Sequence, residues 1–273
     1  MSGEMKKPES TAFRRIVWEY YRRHGRDLPW RRTKNPYRIF VSEMMLQQTQ
    51  VDRVTPKYRA FLKEFPTPRA LARATLADVL RAWQGLGYNR RGKFLHEAVK
   101  MIEDHFHGRF PKTAEEIEQL PGVGHYTARA IATFAYNLPE VFIETNIRTV
   151  FLHYFFKNKT NVPDSKIIPY IEATLDTKHP REWYWALMDY GAYLKKEHGN
   201  ANLRSAHYTK QSKFEGSNRQ IRGLIIKTLL AEGALTAAAL AKKTKKPFKF
   251  VQTIADTLVR EGFLKKKNKT YLC

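Results

Sequence analysis

The sequence predicts an all-α protein: a large helical domain over residues 10–215 and a small, basic, winged helix-turn-helix domain over residues 216–273. Three observations carry this. Apolar residues recur at helical spacing along most of the chain, and alternating strand patterns are nearly absent before the last dozen residues. Glycine corners, Gly85-Leu86-Gly87-Tyr88 and Gly122-Val123-Gly124, punctuate the helical stretches. Past Glu215-Gly216-Ser217-Asn218 the composition shifts to three short helical patterns and a lysine-rich end.

In chain order, residues 10–24 form a basic amphipathic helix with Phe13, Ile16, Val17, Tyr20 and Tyr21 on its apolar side. Leu28-Pro29-Trp30-Arg31-Arg32 breaks it, and Pro36-Tyr37 opens the next helix, which carries Phe40, Met44, Met45 and Leu46. Pro56, Pro66 and Pro68 are expected near later helix starts, where a missing N–H costs little. Helices follow at 113–119 and 127–136, the latter with Ala128, Ile131, Ala132 and Ala135 on one face. A strongly apolar helix spans 143–156, and an aromatic-rich one spans 183–195. The C-terminal domain reads as helices 219–231, 236–243 and 247–261, then a hairpin turning at Lys267-Asn268.

The chain holds 49 Lys and Arg against 26 Asp and Glu, a formal charge of +23 over 273 residues. Such an excess points to a polyanion, and nucleic acid is the commonest. Between Asn218 and Cys273 there are 13 basic residues against 3 acidic ones. A membrane-surface protein is the competing reading. It is disfavoured because the charge is spread along the chain and no apolar run approaches the roughly 20 residues that span a bilayer. No secretory signal is visible in MSGEMKKPES, and the single cysteine, Cys273, leaves no internal disulfide framework. A cytoplasmic, nucleoid-associated protein is expected, or a nuclear one in a nucleated cell.

The corner Leu120-Pro121-Gly122-Val123-Gly124-His125 lies between two helices. Two glycines around one apolar residue let the backbone turn sharply and present its N–H groups outward at the opening of a helix, which suits a phosphate oxygen. A lone corner of this kind would be an ordinary helix junction. In a chain this basic, phosphate binding is the stronger reading.

That corner, together with Ser42-Glu43-Met44-Met45-Leu46-Gln47-Gln48-Thr49-Gln50, Leu28-Pro29-Trp30-Arg31 and Gly85-Leu86-Gly87-Tyr88, resembles the helix-hairpin-helix DNA glycosylases, and within them most closely the MutY-type adenine glycosylases. The likeness covers residues 12 to about 195. The mismatch thymine/uracil glycosylases share a similar corner and a similar LQQT block. The resemblance implies two helical lobes clasping duplex DNA that carries a lesion or mismatch, and a monomer that excises a base, most simply adenine or a deaminated purine. A mismatch thymine/uracil glycosylase and a catalytically weak damage-binding protein are the alternatives.

Hydrolysis of an N-glycosidic bond needs a flipped nucleotide, a proton for the leaving base and an anion beside the developing sugar cation. Glu43, flanked by Val41, Met44, Met45 and Leu46, has surroundings that favour a protonated carboxyl, and the resemblance gives it the general-acid role. Where the family places Asp before an Asn, this chain has Glu144-Thr145-Asn146. Glu144 keeps the charge and adds a methylene; it either replaces the Asp, positions a water, or marks an altered site. A Glu that merely caps a helix is the plainer alternative. Tyr126 stands where bifunctional relatives carry a lysine. A phenol cannot form an imine, so no Schiff-base strand cleavage is expected.

The resemblance further assigns Arg26, Leu28, Trp30 and Arg31 to the base pocket, with Trp30 equally suited to the core. Gln47 and Gln48 enter the duplex near the vacated base, and Tyr88 is the aromatic wedge. Gly122, Val123, Gly124 and His125 meet a DNA phosphate, with a monovalent cation as a candidate at the hairpin. Lys195 and Lys196, and Lys265, Lys266 and Lys267 in the C-terminal hairpin, add phosphate contacts. Relatives carry four cysteines holding an iron–sulphur cluster just after the helix matching 183–195. Here Lys195, Lys196, His198, Arg204 and His207 occupy that segment, so no cluster, no metal and no required cofactor are expected. Packing of Tyr193, Leu203, Tyr208 and Phe214 is expected to hold the segment instead.

Overall fold

The computed structural model describes residues 7–210 and 213–273, with side chains from residue 10 onward. Among the described residues the chain forms α1 (Lys7–His24), a 3-10 turn at Pro29–Arg32, α2 (Pro36–Leu46), α3 (Val51–Glu64), α4 (Pro68–Arg73), α5 (Leu76–Ala82) and α6 (Asn89–Asp104). There follow α7 (Ala114–Glu118), α8 (His125–Tyr136), α9 (Thr145–Phe155), α10 (Asp164–Thr174), α11 (Pro180–His198) and a second 3-10 turn at Ala201–Arg204. The C-terminal part comprises α12 (Asn218–Glu232), β1 (Leu235–Thr236), α13 (Ala237–Thr244), α14 (Phe248–Arg260), β2 (Lys265–Lys267) and β3 (Thr270–Leu272). Among the described residues the fold is all-α apart from this short sheet, as the apolar periodicity predicts.

Two compact units interleave along the chain. Among the described residues the first gathers 7–43, 111–119 and 123–210; the second gathers 44–110, 120–122 and 213–273.

In the first unit α9 and α11 cross at the centre, and Gly191 explains how closely. A Cβ on Gly191 would lie 2.1 Å from the Asn146 carbonyl oxygen, so only glycine lets α11 seat against the opening turn of α9. Phe13 of α1 packs between the rings of Phe151, Tyr154, Phe155 and Trp183 at 5.3–6.2 Å. Arg14 caps the end of α10 by donating to the carbonyls of Thr174 and Leu175, each at 2.8 Å. Helix α9 starts at Thr145 rather than at Ile143, because Glu144 takes extended backbone angles and caps it.

In the second unit α3 to α6 pack with the C-terminal elements. Leu80 of α5 lies in one core with Ile221, Ile225, Leu229, Leu240, Val251 and Tyr271. The sheet order is β1-β3-β2, all antiparallel. The two-residue strand β1 is too short to have shown any alternation in the sequence. The hairpin turns at Asn268-Lys269, one residue later than expected. Lys267 pairs with Thr270, and Asn268 and Lys269 take φ of +48° and +65°, the left-handed angles of a tight hairpin turn that asparagine tolerates well. Pro56 lies inside α3, not near its start. Pro68 does open α4, behind the Thr67 cap.

Candidate active site

Glu43 projects from α2 just ahead of Met44 and Met45, both fully buried, and is itself only 7% exposed. Across from it, Tyr126 in the first turn of α8 donates its phenol hydrogen to Glu43 Oε2 over a long 3.4 Å. Burial pushes the Glu43 carboxyl up to about 7, and the negative charge of Glu144 adds to the rise. The Tyr126 hydrogen bond and the Arg31 charge pull the other way without prevailing. Proximity of a like charge in a poorly solvated site is the arrangement that keeps one of two carboxyls protonated near neutral pH.

Glu144 reaches this site from the cap of α9. Its Oε1 accepts from the backbone N–H groups of Asn146 at 2.7 Å and Ile147 at 2.9 Å, and its Oε2 accepts from Asn146 Nδ2 at 3.3 Å. The side chain is partly open at its surface although protein surrounds it densely, and burial raises its pKa above the usual carboxylate value. The donated N–H groups and the Arg148 charge oppose that rise. The capping geometry is thus present, and the same three donors fix the carboxylate's orientation. Both carboxyls raise the pKa of Tyr126, after burial, so the phenol stays neutral. Phe142 backs the group, 5.7 Å edge-on to Tyr126 and stacked 3.8 Å from Tyr184.

The Leu28–Arg32 segment is organised by a residue the sequence reading missed, Asp189 of α11. Its side chain is 1% exposed and binds Arg31 through both oxygens, at 2.7 and 2.8 Å. Arg26 adds its Nε at 2.6 Å and its backbone N–H at 2.8 Å. Although burial pushes the Asp189 carboxyl up, the two arginines win and hold it below its ordinary value. Arg31 also lies 5.5 Å over the Trp185 ring, Trp30 is buried as a core anchor, and Leu28 is partly exposed. An aspartate inside the apolar, aromatic run 183–194 could have signalled a buried ion pair; only the fold could name its partners. Removing one member of a buried pair leaves a charge stranded, at a cost of about 3–5 kcal/mol. Asp189→Asn is therefore expected to lower the thermal midpoint by roughly 6–15 °C. A melt within 2 °C of wild type would refute that role.

The second unit carries Gln47, Gln48 and Tyr88. Gln48 is exposed with φ +53°, and Gln47 Nε2 contacts Met44 Sδ at 3.6 Å. Tyr88 caps α6 in the left-handed region at φ +46°, a costly choice for a tyrosine. Arg91 ties these loops together and was also missed. Its guanidinium donates to the carbonyls of Met44 (3.0 Å), Met45 (2.8 Å), Gln47, Leu86 (3.2 Å) and Gly87 (3.2 Å), and to Thr49 Oγ1 (2.9 Å). Burial lowers its pKa to about 10, which leaves it charged at neutral pH. In a run of arginines and lysines nothing marks Arg91 as the buried one.

Of the corner glycines, Gly122 is required locally: it takes φ +76°, and a Cβ there would lie 2.5 Å from Phe94 Cβ. Gly124 has φ −101° and open space where a Cβ would stand, so neither backbone nor packing demands glycine there. Val123 is buried, and exposed His125 meets Arg129 Nη1 at 2.7 Å through Nδ1. Lys195 and Lys196 are exposed at the end of α11. Lys265 and Lys267 are exposed on β2, whereas Lys266 pairs with Asp256 at 2.8 Å.

The segment after α11 is not held by the four residues expected to pack it: Tyr193, Leu203, Tyr208 and Phe214 are 39–65% exposed. Hydrogen bonds hold it instead. Asn202 Nδ2 donates to Thr145 O at 3.1 Å and Thr149 Oγ1 at 2.7 Å. Arg204 donates to Leu152 O at 3.0 Å and Phe156 O at 2.7 Å, and Ser205 bridges to Val162. The lysines, histidines and arginine of this segment offer no thiolate to a cysteine-ligated cluster. Among the described residues no group of three or more His, Cys, Asp or Glu converges as a metal site, and no helix is long and apolar enough to cross a membrane.

Residues 41–171 match the HhH-GPD superfamily of base excision DNA repair proteins. An adenine DNA glycosylase of Mycolicibacterium smegmatis is 35% identical over 228 residues, 77% of this chain and 78% of that protein. Another, from Buchnera aphidicola subsp. Baizongia pistaciae, is 38% identical over 185 residues; the match spans 67% of this chain and 53% of that relative's length. Among solved structures, a thermostable thymine-DNA glycosylase superposes with a TM-score of 0.64 at 23% identity, covering 70% of this chain and 90% of that one. A trapped endonuclease III–DNA covalent intermediate gives 0.55 at 17% identity, covering 77% and 91%. At these identities the two superpositions speak for the fold.

Proposed function

We propose, from the premise that this chain belongs to the HhH-GPD superfamily of base excision DNA repair proteins, that it is a DNA glycosylase excising a mispaired or damaged purine, adenine first among them. The observation that carries this is the buried Glu43, its carboxyl pushed up to about 7 by burial and the Glu144 charge, and hydrogen-bonded to Tyr126.

With a purine nucleotide extruded from the duplex, Glu43 gives its proton to a ring nitrogen of the base. The C1′–N bond breaks, its electron pair leaves with the protonated base, and positive charge develops on the sugar. Glu144, oriented by Asn146 and Ile147, stabilises that charge. A water oxygen then bonds to C1′ and surrenders a proton, leaving an abasic site. Tyr126 supplies no amine, which supports a monofunctional reaction without strand cleavage. Arg26, Leu28, Trp30 and Arg31, braced by Asp189, are the candidate base pocket.

Duplex DNA carrying a lesion or mismatch is the partner. Gly122 to His125 would receive a phosphate, with a monovalent cation as a candidate there, and the open space at Gly124 supports this. Tyr88, Gln47 and Gln48 would enter the stack. The helix–strand order of 218–273 supports reading residues 216–273 as a winged helix, in which exposed Lys265 and Lys267 add phosphate contacts. The reaction needs no iron–sulphur cluster, and one monomer suffices.

The test is strand scission. Duplexes with A:8-oxoguanine, A:G, hypoxanthine, T:G or U:G are incubated with the protein and heated in alkali. Cleavage is expected for adenine-containing mispairs and only after alkali. Cleavage without alkali would contradict the monofunctional reading, and tight binding with no cleavage of any duplex would defeat the enzymatic one.

A further inference from the structure

In the second unit two guanidinium groups approach the Tyr88 ring. Arg91 lies 5.4 Å from its centroid and Arg219 lies 4.9 Å from it. Arg219 Nη1 also donates to the Tyr88 phenol oxygen. Arg219 stands in the first turn of α12, fixed by the Ser217 cap and by the burial of Ile221, Ile225 and Leu229 behind it. Phe214 covers the same guanidinium at 5.4 Å. Trp83 Nε1 donates to Gly87 O at 3.1 Å and so holds the turn from which Tyr88 projects. Gly92 makes room for that indole: a Cβ there would lie 2.9 Å from it.

We propose that Arg219 is a positioning residue that sets Tyr88 as the stacking wedge, so that residues 218–273 contribute to mispair discrimination as well as to phosphate affinity. The inference rests on the reading of Tyr88 as the wedge. A ring left to be ordered on contact with DNA would cost affinity; the nearby guanidinium groups and the bond to its phenol order it beforehand. The hydrogen bond to the phenol fixes the tilt of the ring, which charge alone would not. Because Arg219 belongs to the element that opens the basic C-terminal segment, phosphates drawn to that segment would be held in register with the wedge.

The experiment uses the full chain and duplexes with 2-aminopurine beside an A:8-oxoguanine pair. For Arg219→Met, discrimination between this duplex and its fully matched counterpart is expected to fall about tenfold, with loss of the 2-aminopurine unstacking signal. Arg219→Lys, which keeps a cation and a donor, should recover most of both, a rescue that a purely structural role would not produce. Arg219→Gln carries the same comparison if the methionine variant fails to fold. Wild-type discrimination and unstacking in Arg219→Met or Arg219→Gln, while Tyr88→Ala abolishes both, would overturn the proposal and spare the wedge. An unaltered signal in Tyr88→Ala would remove the wedge reading itself.

Discussion

Glu43→Gln is expected to abolish base release while leaving DNA binding and the fold in place. The amide has nearly the shape of the carboxyl and can still accept the Tyr126 hydrogen bond, but it cannot give up a proton to a leaving base. General-acid catalysis is worth about 10²–10⁴-fold, and for a purine that departs poorly as an anion the loss should lie at the upper end. Single-turnover excision from a mispaired duplex measures it, and a residual rate within tenfold of wild type would exclude Glu43 as the acid. The pH profile tests the same group. With its carboxyl raised to about 7, Glu43 is the competent acid below that pH and a spent one above it, so excision should decline through pH 7–8. Since Glu144 must stay ionised and burial raises its pKa above 4.5, a second limb should cut the rate on the acid side. The sign for stability is the same. A carboxyl whose folded-state pKa is raised binds its proton more tightly in the folded than in the unfolded chain, so it costs stability as pH climbs from 4.5 through 7. Glu43→Gln should therefore melt no lower than wild type at pH 8, which separates lost chemistry from lost fold.

Glu144→Gln should cost about 10²–10³-fold in excision, the usual consequence of removing one preorganised electrostatic group from a reacting centre. The amide can still accept from Asn146 and Ile147, so α9 keeps most of its cap and the loss reports charge. Glu144→Asp separates charge from length. Aspartate is itself a favoured helix cap, and the anion would sit about a bond length nearer the backbone. Excision within about tenfold of wild type is expected if the site uses the charge and tolerates the retreat. Should Glu144→Gln excise at the wild-type rate, Glu144 would be a cap and nothing more. Single-turnover rates for both variants, with circular dichroism to confirm helix content, decide between these.

Much of this was legible in the residues. Periodicity located the helices it named to within a few residues, because burying one face of a helix imposes its own spacing on the sequence, but it set no bounds for α3 to α6 or α10. The block around Glu43, with apolar neighbours on one helix, already implied a carboxyl kept from water, and the +23 charge pointed to DNA. The places where the reading slipped have local physical causes. The start of α9 moved because a glutamate can cap as well as extend a helix, and the hairpin turn moved because two left-handed residues were needed after Lys267. The segment after α11 was expected to hold by apolar packing, and polar bonds through Asn202 and Arg204 hold it instead.

By itself the sequence determined the helical class, the basic surface and the candidate acid, since each depends on residue type and on neighbours a few positions away. Only the tertiary structure decided that Asp189 clamps Arg26 and Arg31, that Arg91 gathers the carbonyls of two loops, and that Arg219 meets Tyr88. Those pairings join residues from 4 to 163 positions apart. A buried charge takes whatever partner the packing brings within about 3 Å, and nothing in the linear order records which one that will be.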